Sequence, residues 1–383
     1  MPLADFAIVD TTLREGEQFA SGDFTTADKI EIARLLAAIG IEYIELTSPA
    51  VSPRALADCA TIAGLGLKSR IVAHIRCHAE DARIALGSGV GAISMVMGAS
   101  PILRATSHLL AVDEIVSRAL AVAGEIRQRA PATELRFSTE DAFRCPIGDL
   151  LAIFRPLAAS GLFDRFGLAD TTGSAMPLQV HATVERIAAE TGSAVEFHGH
   201  NDAGCAVANA LTACAAGATH LDVTVLGIGE RNGIASLEGV IAGLYVQDPA
   251  AIRAKYDLQR IPELAQLVAS RIGLEVPFNH CIVGRTAFTH KAGIHTKAII
   301  NDPHSYEVLE PADFGLERAV LVAHRLAGHN AIGARARTLG LSLSPGELRH
   351  ATAIVKAMAD ERKLTDDDVN DILLGMAERR AVG

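Results

Sequence analysis

Short apolar runs of strand length alternate along this chain with amphipathic segments of helix length. The strand-like runs fall near 6–10, 43–46, 69–74, 92–97, 134–138, 165–169, 195–200 and 220–226. A helix-like segment follows each, near 26–39, 53–64, 79–88, 112–129, 147–160, 177–190, 203–216 and 235–246. Thr25-Thr26 and Pro177 supply helix-start signals, and Gly40, Gly161 and Gly217 sit just past helix ends, where a left-handed cap is favoured. Eight such units in about 245 residues predict an α/β fold, a (β/α)8 TIM barrel. An open doubly wound sheet would need a glycine-rich phosphate fingerprint after the first strand, and Asp10-Thr11-Thr12-Leu13-Arg14 is not one.

The pattern changes past residue 250. A helical stretch at 261–272 leads into a polar, histidine-rich region at 288–297, which reads as loop. The remainder reads as helices, with Ser344-Pro345 and Thr365-Asp366-Asp367 as start signals. The predicted organisation is a catalytic barrel over 1–260, a linker or lid subdomain over 261–315 and a small helical C-terminal subdomain over 316–383.

Composition narrows the partners. The 383 residues carry a formal net charge of -10 and no long basic run, which argues against nucleic acid and an anionic membrane surface as main partners. Six scattered cysteines form no CxxC pair and read as reduced thiols. The start lacks a basic segment followed by an apolar one, and no apolar stretch approaches the ~18 residues of a membrane span. The expectation is a soluble, cytoplasmic protein.

Chemistry gathers at the C-terminal ends of barrel strands. In chain order those ends carry Arg14 and Glu15, then Glu45, then His74, then Arg136, Ser138 and Glu140. Thr171 follows, then His198 and His200, then Gly229-Glu230-Arg231-Asn232. His198 and His200 are two apart on one strand and so share a face. In a closed barrel, strand eight alone separates them from Glu15 on strand one. One carboxylate and two imidazoles with positions left open describe a catalytic site for zinc, manganese, magnesium or cobalt. The bland alternatives are hydrogen-bonded mouth histidines and a salt bridge from Glu15 to a neighbouring arginine. A metal so held can chelate a 2-oxo acid and polarise its carbonyl, with Arg14 placed to balance charge on that oxygen. Arg136, Ser138 and Thr171 form a second cluster suited to the far end of a dicarboxylic substrate, unless Arg136 is tied to Glu140 or Asp141. His74 either contacts substrate or is simply packed.

Three motifs then carry a resemblance: the run from Asp10 through Arg14-Glu15-Gly16-Glu17 to Gln18, His198-Gly199-His200-Asn201-Asp202, and Gly227-Ile228-Gly229-Glu230-Arg231-Asn232-Gly233. They resemble the Claisen-condensing metalloenzymes related to isopropylmalate synthase. Glu15, His74-Ile75-Arg76-Cys77-His78, Arg136-Phe137-Ser138-Thr139-Glu140-Asp141 and the run from Phe288 through His290-Lys291 to His295 make the chain similar to the lysine-pathway homocitrate synthases within that superfamily.

The resemblance implies an acyltransferase that condenses acetyl-CoA with 2-oxoglutarate to give homocitrate and CoA. It implies a divalent metal on Glu15, His198 and His200, with Arg14 at the oxo group and Arg136, Ser138 and Thr171 at the distal carboxylate. Gln18, Glu45 and His74 complete the substrate-binding set, and Glu140 joins Arg14 in the catalytic set. His295 and Tyr306 are implied as a lid over the neighbouring subunit's site in a domain-exchanged homodimer, His295 serving deprotonation of the acetyl methyl.

Three departures qualify this. Ser94 stands where lysine-inhibited members carry an acidic residue, while the second acidic partner, Glu196, is retained; weak or absent lysine inhibition follows. Thr172 replaces a usual valine beside Thr171, which opens phosphonopyruvate-type acids or oxaloacetate as alternative substrates. Asn279-His280-Cys281 stands where Asn-Asn-Tyr is expected. A carbon–carbon lyase of the same superfamily is the weaker rival, because such chains end soon after the barrel.

Overall fold

Eight parallel strands close into a barrel in the computed structural model, which describes residues 5–291 and 293–382. They are β1 (Ala7–Asp10), β2 (Tyr43–Leu46), β3 (Arg70–Arg76), β4 (Ala92–Gly98), β5 (Glu134–Glu140), β6 (Arg165–Asp170), β7 (Ala194–Gly199) and β8 (His220–Val223). Each pairs with the next, and β1 pairs back onto β8 with Ala7 opposite His220 and Asp10 opposite Val223. Closure leaves no edge strand within the barrel.

The strands alternate with helices α1 (Thr26–Ile39), α2 (Pro53–Ala63), α3 (Ala79–Gly87), α4 (Val112–Arg129), α5 (Ile147–Ala159), α6 (Pro177–Thr191), α7 (Ala206–Ala215) and α8 (Leu237–Gln247). The starts follow local chemistry. Thr25 caps α1 in a reciprocal box with Asp28, and Ser52 caps α2 ahead of Pro53. One side of α1 buries Ile32, Ala33, Leu36 and Ile39, the spacing expected of a helix laid against a sheet.

Two elements differ from the sequence reading. Strand eight was expected to run to residue 226 but ends at Val223, because the Glu238 carboxylate accepts from the Leu226 backbone N–H at 3.0 Å. Leu226 is thereby held in a left-handed conformation and the chain turns. Helix α7 starts at Ala206 rather than near 203, after a loop in which the Asn201 side chain accepts from the Ala206 N–H.

The chain divides into two compact units, Met1–Val276 and Pro277–Gly383. The first closes with α9 (Pro249–Lys255) and α10 (Ile261–Arg271). The second holds α11 (Gly293–Asn301), α12 (His329–Thr338), α13 (Pro345–Glu361) and α14 (Asp366–Val382). A two-stranded parallel ladder joins β9 (Thr289–His290) to β10 (Ala319–Val320). Its core packs Ile332, Ala336, Val355, Val369 and Leu373. Ser344 caps α13 reciprocally with Glu347, as its Ser-Pro start signal suggests. The histidine-rich stretch is not all loop, since α11 begins at Gly293 and carries His295. No helix among the described residues is long and apolar enough to cross a membrane.

Candidate active site

The strand ends surround a cavity of about 200 Å³. Arg14, Glu15 and Gln18 reach it from the loop after β1, and His74 reaches it from β3. Arg136, Ser138 and Glu140 share one face of β5 by their period-two spacing and all line it. Thr171 follows β6, and His198 and His200 come from β7 and the residue just past it.

One ligand atom from each of Glu15, His198 and His200 lies within 4.8 Å of the others. His198 Nε2 and His200 Nε2 are 3.3 Å apart, and each lies 3.9 Å from a different oxygen of Glu15. Burial first, then the neighbouring Arg14, hold the His198 pKa well below its usual value. Burial also lowers that of His200, against the pull of Glu15. Both rings are therefore neutral near pH 7, and the His200 Nδ1 is buried without a hydrogen-bond partner. Two neutral imidazoles and a carboxylate, converging in a buried site, are the donor set that a divalent cation takes.

Several groups hold these three in place. Asp222 on β8, wholly buried, places Oδ2 3.0 Å from His198 Nδ1, which leaves Nε2 facing the cavity. The Glu230 backbone N–H donates to Glu15 Oε1 at 2.9 Å. That loop needs Gly233 at φ 72°, where a Cβ would also overlap the Gly227 carbonyl oxygen. Arg14 bonds Glu15 through one guanidinium nitrogen and Glu45 Oε2 through Nε at 2.8 Å. Between these carboxylates its pKa is raised further above its normal value, despite burial. The expected bland partner of Glu15, a neighbouring arginine, is thus present alongside the histidine pair.

Glu45 does not line the cavity. It is wholly buried and also approaches His74 Nδ1 at 3.2 Å and Arg136 NH1 at 3.6 Å. Burial pushes its pKa up, but Arg14, His74 and Arg136 pull it well below the usual range. Glu45 thus ties Arg14, His74 and Arg136 together from outside the cavity lining.

Arg136 is 3% exposed and pairs with Glu196 at 2.8 Å, with Glu45 and with Asp222 at 3.6 Å. Among the described residues Arg136 forms no ion pair with Glu140 or Asp141; Asp141 is held by Arg144 at 2.7 Å instead. Arg136 also donates to Ser94 Oγ at 2.9 Å and to Ser138 Oγ at 3.2 Å, while its Nε is buried without a partner. A Cβ on Gly167 would come within 2.5 Å of both Arg136 Nε and Ser138 Oγ, so β6 needs glycine there. Burial raises Glu196, yet Arg136 and Arg165 bring it down to about 2. Burial and the adjacent Glu196 push Asp222 well above its normal value.

Thr171 Oγ1 accepts from the Asp141 N–H at 2.8 Å. The Thr172 hydroxyl instead meets Ser174 Oγ at 2.9 Å and is not on the cavity wall. The sequence reading omitted Val96 and Ala169 from the site because neither carries a reactive group, yet both line the cavity. Glu230 and Arg231 also line it, having been noted only as polar residues at the mouth. Arg231 grips both oxygens of Asp202 and the Thr171 carbonyl, joining the loops after β6, β7 and β8. In the second unit, the rings of His295 and Tyr306 lie 4.5 Å apart, and both side chains are exposed.

Comparison with known proteins adds lineage to geometry. A family model described as HMGL-like matches residues 5–268, and one described as homocitrate synthase post-HMGL domain-like matches 282–363. A mitochondrial homocitrate synthase of Penicillium rubens is 48% identical over 368 residues, covering 96% of this chain and 77% of that protein. A cytosolic homocitrate synthase isozyme of Saccharomyces cerevisiae is 45% identical over 369 residues, covering 96% and 86%. Among solved structures, an HMG-CoA lyase of Bacillus subtilis superposes with a TM-score of 0.62 at 24% identity, covering 72% of this chain and 97% of that one.

Proposed function

The chain belongs to the homocitrate synthase family, and from that premise we propose that it condenses acetyl-CoA with 2-oxoglutarate to give homocitrate and free CoA. In this reaction the acetyl methyl loses a proton and its carbon attacks C2 of the 2-oxo acid. The carbonyl oxygen takes up a proton, and water cleaves the thioester to release the thiol. The observation that carries the reading is that one cavity is lined both by Glu15, His198 and His200 and by Arg136, Ser138 and Thr171.

Glu15, His198 and His200 would hold a divalent metal, which supplies Lewis-acid polarisation of the ketone when bound. Arg14, locked by Glu15 and Glu45, balances negative charge growing on the carbonyl oxygen. The Ser138 and Thr171 hydroxyls orient the distal carboxylate. Arg136 adds its charge from behind them, because its two terminal nitrogens are already engaged by protein groups. His74 and Gln18 bound the same pocket, and Glu140 stands on its wall as an acid–base group. A cavity of about 200 Å³ suits a compact diacid rather than a bulky ligand. His295, beside Tyr306, is assigned to deprotonation of the acetyl methyl, in a homodimer.

The Thr172 hydroxyl, turned to Ser174, removes the reason for preferring a phosphonate or oxaloacetate substrate. The six cysteines, all free, fit a reducing compartment. One assay tests the proposal. CoA release from acetyl-CoA is compared across 2-oxoglutarate, oxaloacetate, 2-oxoisovalerate and phosphonopyruvate, with 2-oxoglutarate expected to be fastest. Turnover on another acid alone would overturn the assignment.

A further inference from the structure

The second unit contains a cavity of about 440 Å³ that the condensation reaction leaves unexplained. Three separate stretches of chain build it: the end of β9 with Lys291, the segment after β10 with Arg325, and the turn between α13 and α14 with Arg362 and Lys363. Asp366 is the acidic residue of the lining. Arg362 is already occupied, donating to both oxygens of Asp368. Lys291, Arg325 and Lys363 make no ion pair among the described residues, although the chain as a whole carries a net charge of -10.

Three cations without an ion pair among the described residues, set against the single carboxylate of Asp366, leave an excess of positive charge that a bound anion relieves. The rest of the lining says what kind of anion. Leu321, Ala323, Ala359 and Leu364 give an apolar floor with room beyond that needed by an inorganic ion. His324 adds no charge: its Nδ1 accepts from the Leu326 N–H and its Nε2 lies 3.0 Å from the Leu321 carbonyl. We propose that this cavity binds a nucleoside phosphate, its phosphates among Lys291, Arg325 and Lys363 and its carbon body on the apolar floor. Such a group has two sources, a free nucleotide or the 3′-phospho-ADP end of CoA, and the second rests on the proposed use of acetyl-CoA.

The test is isothermal titration calorimetry on the full chain with ADP, CoA, inorganic phosphate and adenosine. Saturable ADP binding is expected, at least about tenfold weaker in the exposed double variant Arg325→Ala/Lys363→Ala, with the thermal melt unchanged. If the variant also raises KM for acetyl-CoA at constant kcat, the occupant is the CoA end; if KM is unmoved, it is a free nucleotide. Absence of saturable ADP and CoA binding overturns the proposal. So does ADP binding that ignores the double variant, or inorganic phosphate binding as tightly as ADP. Calorimetry with ADP needs no turnover, so its failure leaves the condensation reading standing. Lack of turnover on 2-oxoglutarate would likewise leave this site standing.

Discussion

Asp222 and His198, on neighbouring strands of the barrel, meet through Oδ2 and Nδ1 at 3.0 Å. The contact selects which ring nitrogen faces the cavity and fixes the plane of the imidazole. Asp222→Asn preserves shape but weakens this anchor. Metal affinity, read by competition with a chelator, is expected to fall about 10- to 100-fold. Unchanged affinity would make Asp222 a space-filling residue only.

Glu15 supplies the sole carboxylate of the ligand cluster. Glu15→Gln is expected to lower kcat by about two to three orders of magnitude and to leave less than one metal ion per chain by elemental analysis. His200→Ala should behave alike. Full metal content together with full activity in either variant would refute the ligand assignment.

Ser138 and Thr171 are assigned to the distal carboxylate. Ser138→Ala or Thr171→Val should raise KM for 2-oxoglutarate by about tenfold and change kcat much less, as expected when a ground-state contact is lost. Steady-state kinetics with each acid separates this from a general loss of activity.

Ser94 is wholly buried, and its hydroxyl is taken by Arg136 at 2.9 Å. The remaining acidic partner, Glu196, is paired with the same arginine at 2.8 Å. No carboxylate on β4 is therefore available for an amino group. Millimolar lysine should leave the rate unchanged, and a low-micromolar inhibition constant would contradict this.

His220, on β8, has its pKa lowered from 6.5 to about 4, chiefly by burial, with Arg165, Arg136 and Lys255 adding to the shift and Glu196 opposing it. Between those values the unfolded chain binds a proton that the folded one refuses. This residue's contribution to stability is therefore full above 6.5 and is lost as pH falls, by up to about 3 kcal/mol. Asp10, raised to about 7 by burial, acts in the opposite sense. The measurement is thus a difference: urea unfolding of wild type and His220→Gln, with wild type losing more stability on acidification. Parallel pH profiles would exclude the effect.

The barrel was legible because each unit announces itself locally. Thr25 with Asp28 marks a helix start of the barrel within four residues of sequence, as Ser344 with Glu347 does in the second unit. The convergence of Glu15, His198 and His200 was legible because period-two spacing places the two histidines on one face, and barrel closure brings Glu15 near. What stayed hidden is long-range or carries no side-chain signal. The Glu230 N–H that holds Glu15 is a backbone group 215 positions away in sequence. Asp222 lies between Leu221 and Val223 on β8 and declares itself only once His198 is beside it. Glu45 reads as one more polar strand end, and only folding shows that it faces cations rather than the cavity. The turn at Leu226 depends on Glu238, twelve residues on, and so a strand was drawn through it.

Because Glu45 joins Arg14 from the loop after β1, His74 from β3 and Arg136 from β5, those side chains cannot drift independently. A change at any one shifts the footing of the other two, so their substitutions should combine non-additively. Pocket redesign that edits these positions singly would stall, and joint replacement around a retained Glu45 is the productive route.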